Sequence, residues 1–486
     1  MPKTFLSTFQ SFASGILPHQ VMWIMENHKM KDPEKIRILN VLENNLLHPS
    51  RSLSFPVEAD RRKYSYIKNR IIEKLNSIDV DVFYQWLCDM DKSIMTDSLS
   101  QEDEKKIINL IQNTQKPGYY FLRFFELVQN YRHFLLIRVR QENYQITGSF
   151  LERFQPIYDK CRSINQTLHN ATLDIVQEYR SFSAESRKWE QWLIDVFEDD
   201  SIDGLNRYFA IVRLTFLYYV YKEYDRLLAL FDKLDKLFAK GEFYSPRILV
   251  NYYANRVLVH TRENDLKKAE YYGFLSIRYK TSDYLQYLNN LCAVLMRRGK
   301  NEEALALMTN SFPEFKKTLS SHNRIGFVSF YIQALIRNNK PGEAAEYARS
   351  FLENHKKDIL NTRWHLFFTS YVFALLQTEN YNKILSLEKK YQLLGREEAY
   401  RKKAGYIPSF IWIYQLAQYK ELHITSEQLW EALYETALPY IPDKHKFRLM
   451  KEMCHELMPH HPEVFQRLFD TLFRESNYKV TPGFSV

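Results

Sequence analysis

The residues best equipped for chemistry stand near the C-terminal end of the sequence. In CHELMPHHPEVF, residues 454 to 465, Cys454, His455, His460 and His461 gather the thiol and imidazole groups that a zinc ion takes as ligands. Pro459 and Pro462 bracket the later histidines, and no further ligand follows at a standard zinc spacing. The stretch therefore reads as a helix end rich in basic groups, and no metal is expected. Glu302-Glu303 and Glu397-Glu398 offer paired carboxylates, yet such pairs read as solvated helix faces. The runs RKK at 401–403 and DKHKFR at 443–448, with aromatics nearby, are the places where phosphates would be met. A glycine-rich phosphate loop, a G-x-S-x-G elbow and an H-E-x-x-H helix are all missing from the sequence. No catalytic constellation emerges, so no cofactor is expected, and an enzyme with its site in the N-terminal region is the least supported reading.

Composition says what must position any working residue. Only 12 glycines and 16 prolines punctuate 486 residues. An α/β enzyme of this length would carry about twice as many glycines in its turns, average usage being ~7%. With 34 Tyr and 33 Phe to fill helix interfaces, the expected class is all-α. Cys88, Cys161, Cys292 and Cys454 lie far apart, none in a CxxC pair, which fits reduced and mostly buried thiols in a cytoplasmic protein. The opening MPKTFLSTFQSFASGILP has no continuous apolar segment, so no cleaved signal is expected. No run approaches the ~18 apolar residues of a membrane helix, and no membrane partner is expected.

The chain divides into four expected regions. Residues 1–150 form a helical N-terminal region, with Asp32-Pro33-Glu34 and Ser100 as helix starts and helices over Tyr64–Leu75 and Asp81–Met90. Its aromatic segment YYFLRFFELVQNYRHFLLIRVRQENY reads as the region's core, although FLLIRVRQ at 134–141 also scores as a strand. Residues 151–202 form a helical connector, a long helix from about Gln155 to Phe182 and a second from Ala184 to Phe197, with six basic residues against ten acidic. Residues 203–400 carry 30 basic against 21 acidic residues, and so nearly all of the chain's excess positive charge. Residues 401–486 hold helices in IPSFIWIYQLAQYKEL, SEQLWEALYETAL and DKHKFRLMKEMCHELM, and read as capping helices with a polar tail, KVTPGFSV.

Within 203–400, YLQYLNNLCAVLMRRGKNEEALALMTNSF reads as a helical hairpin broken at Gly299, and its turn-plus-helix phrase recurs. KEYDRLLALF, ENDLKKAEYY, RGKNEEALAL, NNKPGEAAEY and TENYNKILSL align at Leu227, Ala269, Ala304, Ala344 and Ile384. A small or apolar residue at that point lets the paired helices approach closely. The pattern resembles the tetratricopeptide repeat: Tyr224 and Tyr381 stand at its turn Tyr, Gly299 at its turn Gly, and Ala269, Ala304 and Ala344 at its packing Ala. The resemblance implies an α-solenoid of antiparallel helix pairs whose first helices line a concave groove for peptides or partner helices. Carried over by position, that groove would present Arg213, Asn251, Asn255, Gln286, Asn289, Asn290, Gln333 and Arg337. Amides suit a peptide backbone and Arg suits carboxylates. The leading expectation is thus a non-enzymatic scaffold or regulator that binds a protein or peptide. The alternative is a nucleic-acid-binding repeat protein that uses the basic array.

Overall fold

Helix boundaries follow from side chains that satisfy the first backbone N–H groups. Asp32 accepts from Glu34 N, Asp79 from Asp81 N and Val82 N, Ser100 from Asp103 N, Asp203 from Asn206 N and Ser320 from Asn323 N, while Thr425 and Gln428 form a reciprocal capping box. A computed structural model describes residues 4–28, 30–48, 51–56, 60–181, 185–401, 403 and 406–475. Among these the protein is all-α, with twenty-five α-helices and no strand. The tail KVTPGFSV, Lys402 of the basic run and the Ala184 helix start lie outside the described residues. No described helix is long and apolar enough to cross a membrane.

The chain forms two compact units, Met1–Tyr252 and Tyr253–Val486. The first contains α1 (Thr4–Gly15), α2 (Pro18–Asn27), α3 (Pro33–Leu47), α4 (Arg61–Ile78), α5 (Val80–Met95), α6 (Gln101–Asn113), α7 (Phe121–Ile137), α8 (Gln141–Ser181), α9 (Glu190–Glu198), α10 (Gly204–Val220) and α11 (Tyr224–Ala239). Helix α12 (Pro246–Arg262) carries the boundary. The second unit continues with α13 (Leu266–Ser276), α14 (Tyr284–Arg297), α15 (Asn301–Asn310), α16 (Phe312–Lys317), α17 (Ser321–Arg337), α18 (Pro341–Thr362), α19 (Trp364–Gln377), α20 (Tyr381–Tyr391) and α21 (Leu393–Tyr400). It closes with α22 (Ser409–Lys420), α23 (Ser426–Ala437), α24 (Lys444–Leu457) and α25 (Pro462–Glu475).

In the first unit α7 lies between α5 and α8, which explains its apolar residues on nearly every side. Phe121, Phe125 and Tyr131 are fully enclosed, and Phe125 stacks on Tyr158 of α8 at 4.4 Å. The strand option for FLLIRVRQ is replaced by the end of α7 and a turn at Val139. Helix α8 starts at Gln141, not near Gln155, and runs on through Pro156. A proline removes one backbone donor inside a helix, and here the other turns of a 41-residue helix carry through it.

The hairpin phrases fold as one recurring device. Leu227, Ala269, Ala304, Ala344 and Ile384 are each the fourth residue of α11, α13, α15, α18 and α20, and none is more than 1% exposed. Two residues before each of these helices the backbone turns left-handed, at Lys222, Asn264, Gly299, Asn339 and Glu379, with φ between 55° and 75°. The next N–H then returns to the carbonyl five residues back: Glu223 to Tyr218, Asp265 to His260, Lys300 to Leu295, Lys340 to Leu335 and Asn380 to Leu375, all at 2.8–3.0 Å. This is the glycine-type helix stop, with a backbone bond closing the turn. The α7–α8 turn repeats it at Val139, where Arg140 N meets Leu135 O at 3.2 Å. In the second unit successive hairpins stack: α14 packs on α13, α15 and α17, α17 on α18 and α19, and α19 on α20 and α22.

Candidate functional site

The ends of the first helices in the second unit meet one helix from the C-terminal region. Arg262, Arg297, Arg337 and Gln377 are the last residues of α12, α14, α17 and α19. Facing them are Arg448, Glu452 and Glu456 of α24 and His460 just beyond it, each four residues after the one before, which places them on one helical face. Arg448 Nη1 donates to Arg262 O at 3.4 Å. Arg297 donates through Nε and Nη2 to both carboxylate oxygens of Glu452, at 3.1 and 2.6 Å. Arg337 Nη2 donates to Glu456 Oε1, and Gln377 Nε2 meets His460 Nε2 at 3.2 Å. Helix α24 is thus tied to three successive hairpins, and the turn that follows it to a fourth, through one polar residue pair per hairpin.

Between α24 and the hairpins lies a pocket of about 240 Å³, half-open to solvent. Leu449, Met453 and Leu457 of α24 face Phe373 and Ile413 across it, and Gln333, Arg337, Thr369 and Ser370 make its polar wall. Gln333 Nε2 donates to Ser370 Oγ at 2.9 Å, whereas Thr369 Oγ1 is enclosed with no hydrogen-bond partner. At the N-terminal end of α24, burial pushes the His445 imidazole down to about 3, with Arg262, Arg297 and Arg448 adding repulsion.

Of the groove residues expected from the sequence, Gln333 and Arg337 come together at this pocket. Gln286, Asn289 and Asn290 share α14, but Asn289 is only 1% exposed and both of its amide atoms lack a hydrogen-bond partner. Gln286 Oε1 is enclosed in the same way. Asn289 lies beside Gly326, where an added Cβ would stand 3.2 Å from its Nδ2 and 2.2 Å from Arg363 Nη1, so only glycine lets the guanidinium cross there. Asn255 is half-buried on α12. Asn251 and Arg213 fall in the first unit, Asn251 half-buried on α12 and Arg213 tied to α8 through Thr172 Oγ1 at 2.9 Å and Leu168 O at 3.4 Å.

Three residue groups singled out in the sequence take other roles. Cys454 is fully buried, and its thiol is pushed up to about 12 by burial. His455 lies against the Phe469 ring, His460 meets Gln377 and His461 meets Ser426 Oγ at 3.2 Å, so the four ligand types have separate partners. Glu397 is a correction: it is 0% exposed instead of solvated, accepting from Tyr406 OH at 2.7 Å beside His365 Nε2 at 3.3 Å. The contacts of α24 were missed as a site. Its acidic residues at four-residue spacing were the available signal, but their partners lie more than 100 residues away.

No family model matches the chain, and no curated protein matches it.

Proposed function

We propose that the chain is a non-enzymatic, tetratricopeptide-like helical-repeat scaffold or regulator that binds a protein or peptide on the face of its hairpin array. The observation that carries this reading is the seat of α24: the last residues of four successive first helices hold a helix and the turn after it through side-chain contacts repeating every four residues. A surface that grips one amphipathic helix in register has the chemistry to grip another. The four cysteines stand free, in keeping with a cytoplasmic setting.

The nucleic-acid alternative draws on the positive charge of residues 203–400. Much of that charge is already matched by acids: Lys300 lies 2.7 Å from Glu270, which also holds Arg298, Lys280 pairs with Glu314, and Arg297 and Arg337 pair with Glu452 and Glu456. Capture from native lysate on the immobilised full chain, with and without nuclease, separates the two. A protein partner should survive nuclease and hold at 200 mM salt. Captured nucleic acid whose affinity falls roughly 10³-fold or more between 50 and 200 mM salt would overturn the proposal.

A further inference from the structure

The first unit carries a charge that its own fold leaves unanswered. Helices α8 and α10 lie side by side and run parallel: Asn165 Nδ2 donates to Asn206 Oδ1 at 2.9 Å and Arg213 Nε to Thr172 Oγ1 at 2.9 Å, both pairs 41 positions apart. Arg213 is half-buried between them. Its Nε and Nη1 donate to Thr172 Oγ1, Leu168 O and Phe209 O, all neutral acceptors. It makes no ion pair among the described residues, and burial alone acts on its ionisation, with no carboxylate opposing. Asp174, two positions on from Thr172, is turned to Lys188 and the Trp189 indole, at 2.9 and 2.8 Å. Charged side chains held out of water are normally paired. Arg213 Nη2 makes no bond and is not enclosed, so the unanswered donor is open to solvent.

The surface around that donor is apolar. Phe209, Val212 and Phe216 stand three or four residues apart along α10 and share a face with Arg213. Phe216 is 57% exposed, and on α8 Leu173 and Val176 are 56% and 45% exposed. Because the helices run parallel, Val176 and Phe216 stand at one level, a turn past the contact of Thr172 with Arg213. Single exposed apolar residues are ordinary, whereas a group of them around one unpaired cation marks a place of interaction.

We infer that the face formed by α8 and α10 is a docking surface for an amphipathic helix of a partner protein that carries one carboxylate within its apolar stripe. The carboxylate, from Asp or Glu, accepts from Arg213 Nη2 in a charge-assisted bond. Apolar residues three and four positions further along that helix cover Phe216, Leu173 and Val176. Two helices side by side leave a groove that takes the ridge of a third. Charge selects this occupant over others. A second copy of the chain, meeting this face through a two-fold axis, would bring its own unpaired Arg213 toward the first. Anionic lipid attracts a cluster of cations, and the apolar group holds one. The inference rests on the proposed function and narrows it to one surface of the first unit and one class of partner.

The test begins with selection on the full chain from a displayed library of amphipathic helices about 14 residues long, randomised along the apolar stripe, with depletion on Phe216→Ser. Enriched helices should carry Asp or Glu within the stripe. Stripes without an acid, or no enrichment of the parent over Phe216→Ser, overturn the inference. One enriched peptide is then labelled and titrated by fluorescence anisotropy. Replacing its acid by the matching amide should weaken binding to the parent about tenfold and leave binding to Arg213→Gln unchanged, since the charge-assisted bond exists only where the guanidinium does. An equal loss on both chains puts the carboxylate elsewhere and overturns the inference. Leu173→Ser with Val176→Ser, exposed positions on the other helix, should weaken the acid peptide about tenfold as well. Unchanged affinity there overturns the inference even where Arg213→Gln does not fold. A captured partner that depends on Asn255 and Asn290, alongside a peptide that fails these tests, leaves the proposed function standing and defeats this inference alone.

Discussion

Arg297 and Glu452 are 155 positions apart in sequence and share two hydrogen bonds, Nε to Oε2 at 3.1 Å and Nη2 to Oε1 at 2.6 Å. The fork geometry matches guanidinium to carboxylate, and Arg297 keeps only 15% of its side chain exposed. A double-mutant cycle with Arg297→Ala and Glu452→Ala should return a coupling of about 1 kcal/mol, above the typical exposed pair because one partner is largely enclosed. A coupling indistinguishable from zero in chemical denaturation would mean that this pair does not help to hold α24.

The hairpin turns make a prediction of opposite signs. Gly299 and Glu379 occupy the same left-handed position, at φ of 75° and 55°. The space around Gly299 is open, so Gly299→Ala meets no clash and costs only the conformation, about 1 kcal/mol. Glu379→Gly relieves the same strain and should stabilise by a few tenths to about 1 kcal/mol. Melting both variants beside the parent checks the pair, and shifts in the same direction would show that the turn conformation is misassigned.

Ala304 is fully enclosed where α15 crosses α14, and Cys292 Sγ lies 3.7 Å from its carbonyl oxygen. Ala304→Trp should destabilise by about 1 to 3 kcal/mol or more through overpacking, whereas the exposed Glu302→Gln should stay within ~0.5 kcal/mol. Equal melting temperatures would place the hairpin contact elsewhere.

Two imidazoles give the second unit a defined response to acid. Burial, with Arg256 adding to it, holds His260 down to about 4, and burial with Arg262, Arg297 and Arg448 holds His445 at about 3. In the unfolded chain both titrate near ~6.5, so between there and the folded values the unfolded state binds more protons. Stability is therefore present above pH ~6.5 and declines as pH falls, by at most ~1.4 kcal/mol per pH unit for each histidine. His260→Asn with His445→Asn should lose less of its Tm than the parent between pH 7 and pH 5. A parallel decline in both would assign the acid response to other groups.

Much of this architecture is legible in the sequence. The period of 35 to 42 residues set by Leu227, Ala269, Ala304, Ala344 and Ile384 places each hairpin contact, because a position enclosed between two helices tolerates little beyond a compact apolar side chain. Gly299 marks one turn openly. Lys222, Asn264, Asn339 and Glu379 adopt the same backbone with side chains that do not announce it, and Val139 hid the α7–α8 hairpin because a β-branched residue is the least expected there. Glu397 looked solvated beside Glu398, since its partners His365 and Tyr406 lie on other segments. Asn289 looked like groove lining, since a helical period alone does not tell which polar residue the next hairpin covers. The seat of α24 needed the fold, because its contacts join residues more than 80 positions apart.

The central claim is that the face of the first helices is the working surface, and calorimetric titration of a captured protein partner against the full chain tests it most directly. Asn255→Ala with Asn290→Ala, on successive first helices, removes two amides each worth about 0.5 to 1.5 kcal/mol, so affinity should fall roughly 5- to 150-fold while the helical spectrum is kept. Lys267→Ala with Lys268→Ala, on the exposed side of α13, should leave affinity unchanged. If the lysine variant loses affinity and the asparagine variant keeps it, the first-helix face is not the binding surface, and the basic outer face takes its place.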